Sequence, residues 1–100
     1  MIGTRRAVLY TAPRCHLCEQ AKALVYPLLP AGSRLAERRV DADQALAPWR
    51  ERIPVLAVED GEGRPREVLP WPFTRGQARR LLARHGLAAA LSPRRAALLP

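Results

Sequence analysis

Thr11-Ala12-Pro13-Arg14-Cys15-His16-Leu17-Cys18 holds both cysteines of the chain, at C-x-x-C spacing immediately ahead of a helical pattern. Before it runs Arg5-Arg6-Ala7-Val8-Leu9-Tyr10-Thr11, whose short apolar centre reads as a buried strand. After it, Leu17, Ala21, Leu24, Val25 and Leu28 recur at helical spacing and share one face of a helix from about His16 to Tyr26 or Leu29. A strand that breaks at Pro13 and delivers Cys15 to a helix N-terminus sets its sulfur beside unpaired backbone N–H groups. The positive end of the helix dipole lies there too, and both favour the thiolate. Cys18, about one turn on, is placed to attack a mixed disulfide formed at Cys15 and to release a reduced product.

C-x-x-C is also half of many zinc sites, so a soft-metal or iron–sulfur carrier is the competing reading. A four-ligand site needs two further donors, and the chain offers only His16 and His85 and no third cysteine. Redox chemistry with no resident metal is therefore the expectation. A metal reading needs His16 or a second subunit to complete the ligand set.

One hundred residues suit one small domain. Two close cysteines are no secretory disulfide framework, and Met1 to Arg6 lacks the apolar stretch of a signal peptide. No apolar run is long enough to span a membrane. A reducing cytoplasmic setting, with no membrane association, is expected. The net charge of +8 invites a nucleic-acid reading, but its arginines are scattered and no aromatic residues interleave with a basic run. A solvated basic surface is expected, with no nucleic-acid partner.

Pro27 lacks the N–H that would bond back to Ala23, so the first helix kinks or ends there, and Pro30, Gly32 and Ser33 complete the break. Leu35 to Val40 reads as a second strand of poor alternation. Asp43 to Arg50 reads as a short helix with Leu46 and Trp49 inward, and Asp41 and Asp43 read as caps and turn formers. Arg52 to Glu59 is a strand begun by Pro54, a residue that costs no ladder bond at a strand start and can be cis in a tight turn. Asp60-Gly61-Glu62-Gly63 turns it into a hairpin with Arg66 to Leu69. Thr74 and Gln77 form a capping box and Gly86 a left-handed stop, which predicts a last helix from about 74 to 85 with His85 at its end. Leu87 to Pro100 is a short helix or a tail beyond a domain spanning residues 1–86.

The order strand, helix, strand, helix, hairpin, helix, with C-x-x-C at the first helix N-terminus and Ile53-Pro54-Val55 opening the third strand, resembles the glutaredoxin branch of the thioredoxin fold. Within it, the sequence is most similar to small bacterial glutaredoxin-like proteins with a C-H-L-C centre. The resemblance implies an α/β fold, a four-stranded mixed sheet flanked by three helices in the order β-α-β-α-β-β-α. It also implies a monomeric thiol-disulfide oxidoreductase with Cys15 as nucleophile and Cys18 as resolving cysteine. Pro13, Arg14, His16 and Leu17 are then the neighbours of the active sulfur, and Pro54 is the cis-proline against the disulfide. Ile53 and Pro54 line the substrate groove, and Trp71 and Phe73, just before the last helix, either line it too or belong to the core, the commoner place for two aromatics. The substrate is a protein or small-molecule disulfide, and electrons come from glutathione or a thioredoxin reductase-type enzyme, with no bound cofactor. Dithiol glutaredoxins usually carry proline and tyrosine between the cysteines, a lysine shortly before them and a Gly-Gly-Asp pattern at the last helix. Here His16 and Leu17 stand between the cysteines, Ala12 is at the lysine position, and residues 70–74 hold no Gly-Gly or aspartate.

Overall fold

The computed structural model describes residues 4–89. Strand β1 (Arg5–Thr11) runs into helix α1 (His16–Val25), and strand β2 (Ala36–Arg39), β3 (Val55–Asp60), β4 (Pro65–Pro70) and helix α2 (Arg75–Arg84) follow. The four strands form one sheet in the order β2-β1-β3-β4. β1 is parallel to β2 and antiparallel to β3, and β3 and β4 form the hairpin.

Alternation along β1 and β3 gives the sheet two apolar faces. Ala7, Leu9, Leu56 and Val58 face α1 and α2, meeting Ala21, Val25, Leu28, Ala78, Leu81 and Leu82. Val8, Tyr10, Val55 and Ala57 face the other way, where Val40 and Leu46 cover them. That second cover is thin: Gln44–Trp49 forms a 3-10 segment with Pro48 inside it, not an α-helix, and Asp43 caps it by accepting from the Ala45 N–H at 3.0 Å. Proline also decides the end of α1. The helix stops at Val25, and Tyr26-Pro27-Leu28 tightens into a 3-10 turn.

Two local readings change in the tertiary context. Leu17 does not join the buried stripe of α1; it is 45 % exposed, while Cys18 is 2 % exposed. It stands on the first turn of the helix, next to the loop that carries Cys15. The poor alternation of β2 arises because Arg38 occupies an inward position and meets a buried carboxylate, Glu59, on β3. Glu59 is wholly buried and also accepts from the Tyr10 hydroxyl at 2.8 Å, with Arg6 at 3.4 Å. Arg38 reaches on to Asp43. Burial first, and then the Glu59 hydrogen bond, push the Tyr10 phenol far above its ordinary 10.0, and the bond from Arg38 holds the Asp43 carboxyl below its ordinary value.

Both ends of α2 follow from sequence. The Gln77 N–H donates to Thr74 Oγ1 at 3.1 Å and the Thr74 N–H to Gln77 Oε1 at 2.8 Å. At the other end Gly86 adopts φ 71°, the Gly86 N–H reaches the Ala83 carbonyl at 3.1 Å and the Leu87 N–H the Leu82 carbonyl at 2.8 Å, a Schellman closure. His85 Nε2 lies 2.9 Å from Glu67 Oε1, tying the helix end to β4. Thr74→Ala is expected to lower stability by about 1 kcal/mol in urea denaturation, because the Gln77 N–H loses its acceptor while the N–H of residue 74 keeps Gln77 Oε1. The chain stays on the core past Gly86: Leu87 and Ala88 pack against it, and the Ala89 N–H donates to the Leu28 carbonyl at 2.8 Å. The reading of a helix or tail falls, from residue 90 on, outside the described residues.

Candidate active site

The buried β1 strand ends at Thr11, and the loop Ala12–Arg14 turns the chain into α1 with Cys15 as the N-cap residue. Its sulfur occupies the place that a serine or aspartate oxygen takes at other helix starts: Cys15 Sγ accepts the Cys18 N–H at 3.1 Å. Cys15 and Cys18 form a disulfide with their Cα atoms 5.2 Å apart. The bond is asymmetric in access. Cys15 is half-exposed at the loop, whereas Cys18 is buried under it.

Arg14, the residue before the outer sulfur, has φ 57°, the left-handed region that a residue with a Cβ adopts at a cost of roughly 1–2 kcal/mol. It has no carboxylate partner among the described residues. The turn that presents Cys15 is thus bought with backbone strain at an arginine. Arg14→Gly is expected to stabilise the oxidised protein by about 1 kcal/mol in urea denaturation, the relief of that strain less the extra freedom glycine gives the unfolded chain.

A cleft of about 470 Å³ opens beside the disulfide, lined by residues 11–16 with Cys18, Glu19 and Glu37. The two glutamates were not among the residues singled out from sequence. Glu19 was legible as an i, i+3 partner of Lys22; Glu37 was not, because only the parallel register Leu9↔Glu37 brings β2 alongside α1. Lys22 bridges them, 3.1 Å from Glu19 and 3.3 Å from Glu37, and those hydrogen bonds raise its own pKa. The chain's single lysine is therefore spent inside the protein, and Arg14 is the unpaired cation at the cleft. His16 and Pro13 are exposed on its rim.

The β1–β3 register, Tyr10↔Val55, puts the start of β3 at the same end of the sheet as the loop that carries Cys15. Pro54 is buried there, and the Ile53–Pro54 bond is cis. Its carbonyl accepts the Trp71 N–H at 2.9 Å, continuing the hairpin one step beyond Val55↔Pro70. Ile53 stays outside the sheet pairing and is half-buried. The Trp71–Pro72 bond is also cis. Trp71 is half-buried, but Phe73 is only 5 % exposed and belongs to the core, its ring edge-on to Trp71 at 5.0 Å. Trp71 packs against the same core cluster.

A family model for a glutaredoxin-like domain (DUF836) matches residues 6–83, which hold the C-x-x-C at the helix N-terminus and every strand of the sheet but the first residue of β1. The chain belongs to this glutaredoxin-like family. Among solved structures, the X-ray structure of a Northeast Structural Genomics target protein from X. campestris is similar, at 32% sequence identity and a TM-score of 0.57, covering 78% of this chain and 96% of that one. The fold of this glutaredoxin-like domain is thioredoxin-like. No curated protein matches the chain. No helix among the described residues is long and apolar enough to cross a membrane.

Proposed function

We propose that this glutaredoxin-like domain is a dithiol-disulfide oxidoreductase in which Cys15 is the nucleophile and Cys18 the resolving cysteine. The observation that carries the reading is the unequal exposure of the two cysteines that line the cleft: Cys15, whose Sγ accepts an N–H of the helix start, is half-exposed, while Cys18 is buried. In the reduced protein the same N–H groups and the helix dipole stabilise a Cys15 thiolate.

The Cys15 thiolate attacks one sulfur of a substrate disulfide; that S–S bond breaks and the other sulfur leaves as a thiolate, which takes up a proton. Cys18, having given up its proton, then attacks Cys15 Sγ in the mixed disulfide. The second substrate thiol departs and the Cys15–Cys18 bond closes. Two electrons have passed from the protein to the substrate, and an external thiol, glutathione or the dithiol of a reductase, returns them. Such a cycle belongs in a reducing compartment such as the cytoplasm. The neighbouring Ile53, whose backbone lies outside the sheet register, is positioned to pair with an extended substrate segment, with Pro54 and Trp71 beside it.

The test is equilibration of the protein in glutathione and in dithiothreitol redox buffers, with the thiol state read by alkylation and mass. A reversible two-electron couple is expected. Thiols that never pair, or that become accessible only after a chelator removes a metal, would overturn the reading and assign Cys15 and Cys18 to a metal site.

A further inference from the structure

The charge surplus of this chain is unevenly placed. Every aspartate and glutamate except Glu51 is in an ion pair with an arginine, lysine or histidine, and residues 1–3 and 90–100 contain no Asp or Glu. The cations left over mark where the net charge is free to act. Arg75, Arg79 and Arg80 are three of them, all on α2, whose other side buries Ala78, Leu81 and Leu82. Arg84, at the end of the same helix, is neutralised by Glu67. The Arg80 guanidinium lies back over the first turn, with Nη1 3.4 Å from where a Cβ on Gly76 would stand.

This placement works against the helix. The first turn of α2 carries no acidic residue and begins with a cation, where the dipole favours an anion, and Arg75 and Arg79 repel each other at i, i+4. The capping box of Thr74 and Gln77 satisfies the backbone of that turn, but no carboxylate among the described residues pairs with Arg75, Arg79 or Arg80. These arginines stand at a significant end of the fold: Tyr10↔Val55, Val55↔Pro70 and the Trp71 N–H on the Pro54 carbonyl place the end of β1, Pro54 and the entry to α2 side by side. Cys15 follows β1 by four residues and Arg75 follows Trp71 by four.

We infer that the Arg75–Arg79–Arg80 face of α2 receives an acidic patch of a protein partner whose disulfide or dithiol is exchanged at Cys15. The inference rests on the exchange chemistry proposed above. It selects a protein over a nucleic acid because the partner must carry sulfur. Unpaired arginines on a rigid helix attract an acidic surface over roughly a Debye length and orient it, so the expected signature is a salt-sensitive rate.

The experiment measures second-order reduction rates of three synthetic disulfide peptides, flanked by glutamates, by serines or by lysines, at low and high ionic strength. Proteins compared are the wild type, the Arg75→Gln/Arg79→Gln/Arg80→Gln variant, and an Arg5→Gln/Arg34→Gln/Arg50→Gln variant of equal charge. For the wild type the glutamate peptide is expected to react on the order of tenfold faster than the serine peptide at low salt. That advantage collapses at high salt and in the α2 variant, persists in the control variant, and leaves the serine peptide's rate unchanged throughout. The α2 variant is also expected to melt no lower than wild type. An advantage lost equally in both variants would overturn the inference in favour of overall charge, and no advantage would overturn it outright. An oligonucleotide bound by wild type and not by the α2 variant, with peptide rates unmoved, would overturn it in favour of nucleic acid. Failure of wild type to reduce even the serine peptide would instead sink the exchange reading and this inference with it.

Discussion

Cys15→Ser is expected to reduce disulfide exchange by on the order of a thousandfold or more, to the rate of buffer thiols alone, while Cys18→Ser is expected to keep the first step and lose the second. The difference follows from access. Cys15 is the half-exposed sulfur at the cleft, so removing it removes the only cysteine a substrate can meet; Cys18 is 2 % exposed and meets a substrate only through Cys15. With Cys18→Ser the mixed disulfide between Cys15 and the substrate has no internal thiol to resolve it and accumulates. Mass spectrometry of non-reduced protein after mixing with an excess of a small disulfide measures both: an adduct at near-complete occupancy for Cys18→Ser and none for Cys15→Ser. Equal adduct on both variants would mean that the buried sulfur is as reachable as the outer one, and the assignment of roles would be wrong. Cys15→Ser should not unfold the domain under reducing conditions, because serine at the N-cap still accepts the backbone N–H.

Glu59→Ala is expected to cost about 3 kcal/mol, the largest stability loss of any single polar substitution considered for this protein, and Glu59→Gln roughly half of that. The carboxylate is wholly buried on the thinly covered face of the sheet, and Tyr10, Arg38 and Arg6 converge on it from β1 and β2. Alanine leaves a cavity, an unpartnered buried hydroxyl and a guanidinium reduced to Asp43 and the Gly63 carbonyl. Glutamine keeps the volume and still accepts from Tyr10, losing the charge. Urea denaturation of the oxidised proteins gives both values. A loss under 1 kcal/mol for alanine would show that the network contributes little beyond the packing around it.

The same network sets an alkaline limit. Tyr10 in the folded chain ionises well above its ordinary 10.0, because burial and its hydrogen bond to Glu59 both disfavour the phenolate. The unfolded chain gives up that proton near 10. The stability this contributes is therefore fully present below pH 10 and declines as pH rises above it toward the folded value. A Tyr26→Phe background leaves Tyr10 as the sole tyrosine. Its tyrosinate absorbance should then appear with the unfolding transition, not before it. Early appearance in folded protein would show that the phenol is not held.

Much of this molecule was legible in its residues because the determinants are local. The C-x-x-C at the turn from an apolar strand to a helix, the capping box of Thr74 and Gln77, the stop at Gly86 and the break at Pro27 each act within a few residues, and each appears where its chemistry places it. The order of elements and the disulfide end of the sheet followed from them. What remained hidden depends on partners far apart in the chain. Glu59 ended an apolar run with nothing beside it to mark it as buried, since Arg38 and Tyr10 reach it only once β2 and β3 flank β1. Glu37 joined the cleft, and Lys22 was withdrawn from it, through strand register. Sequence determined where the Cys15 sulfur sits, because a helix N-terminus is made by its own backbone. Only the tertiary structure decided which charges are free to act near it, because that depends on which arginine finds a carboxylate across the sheet.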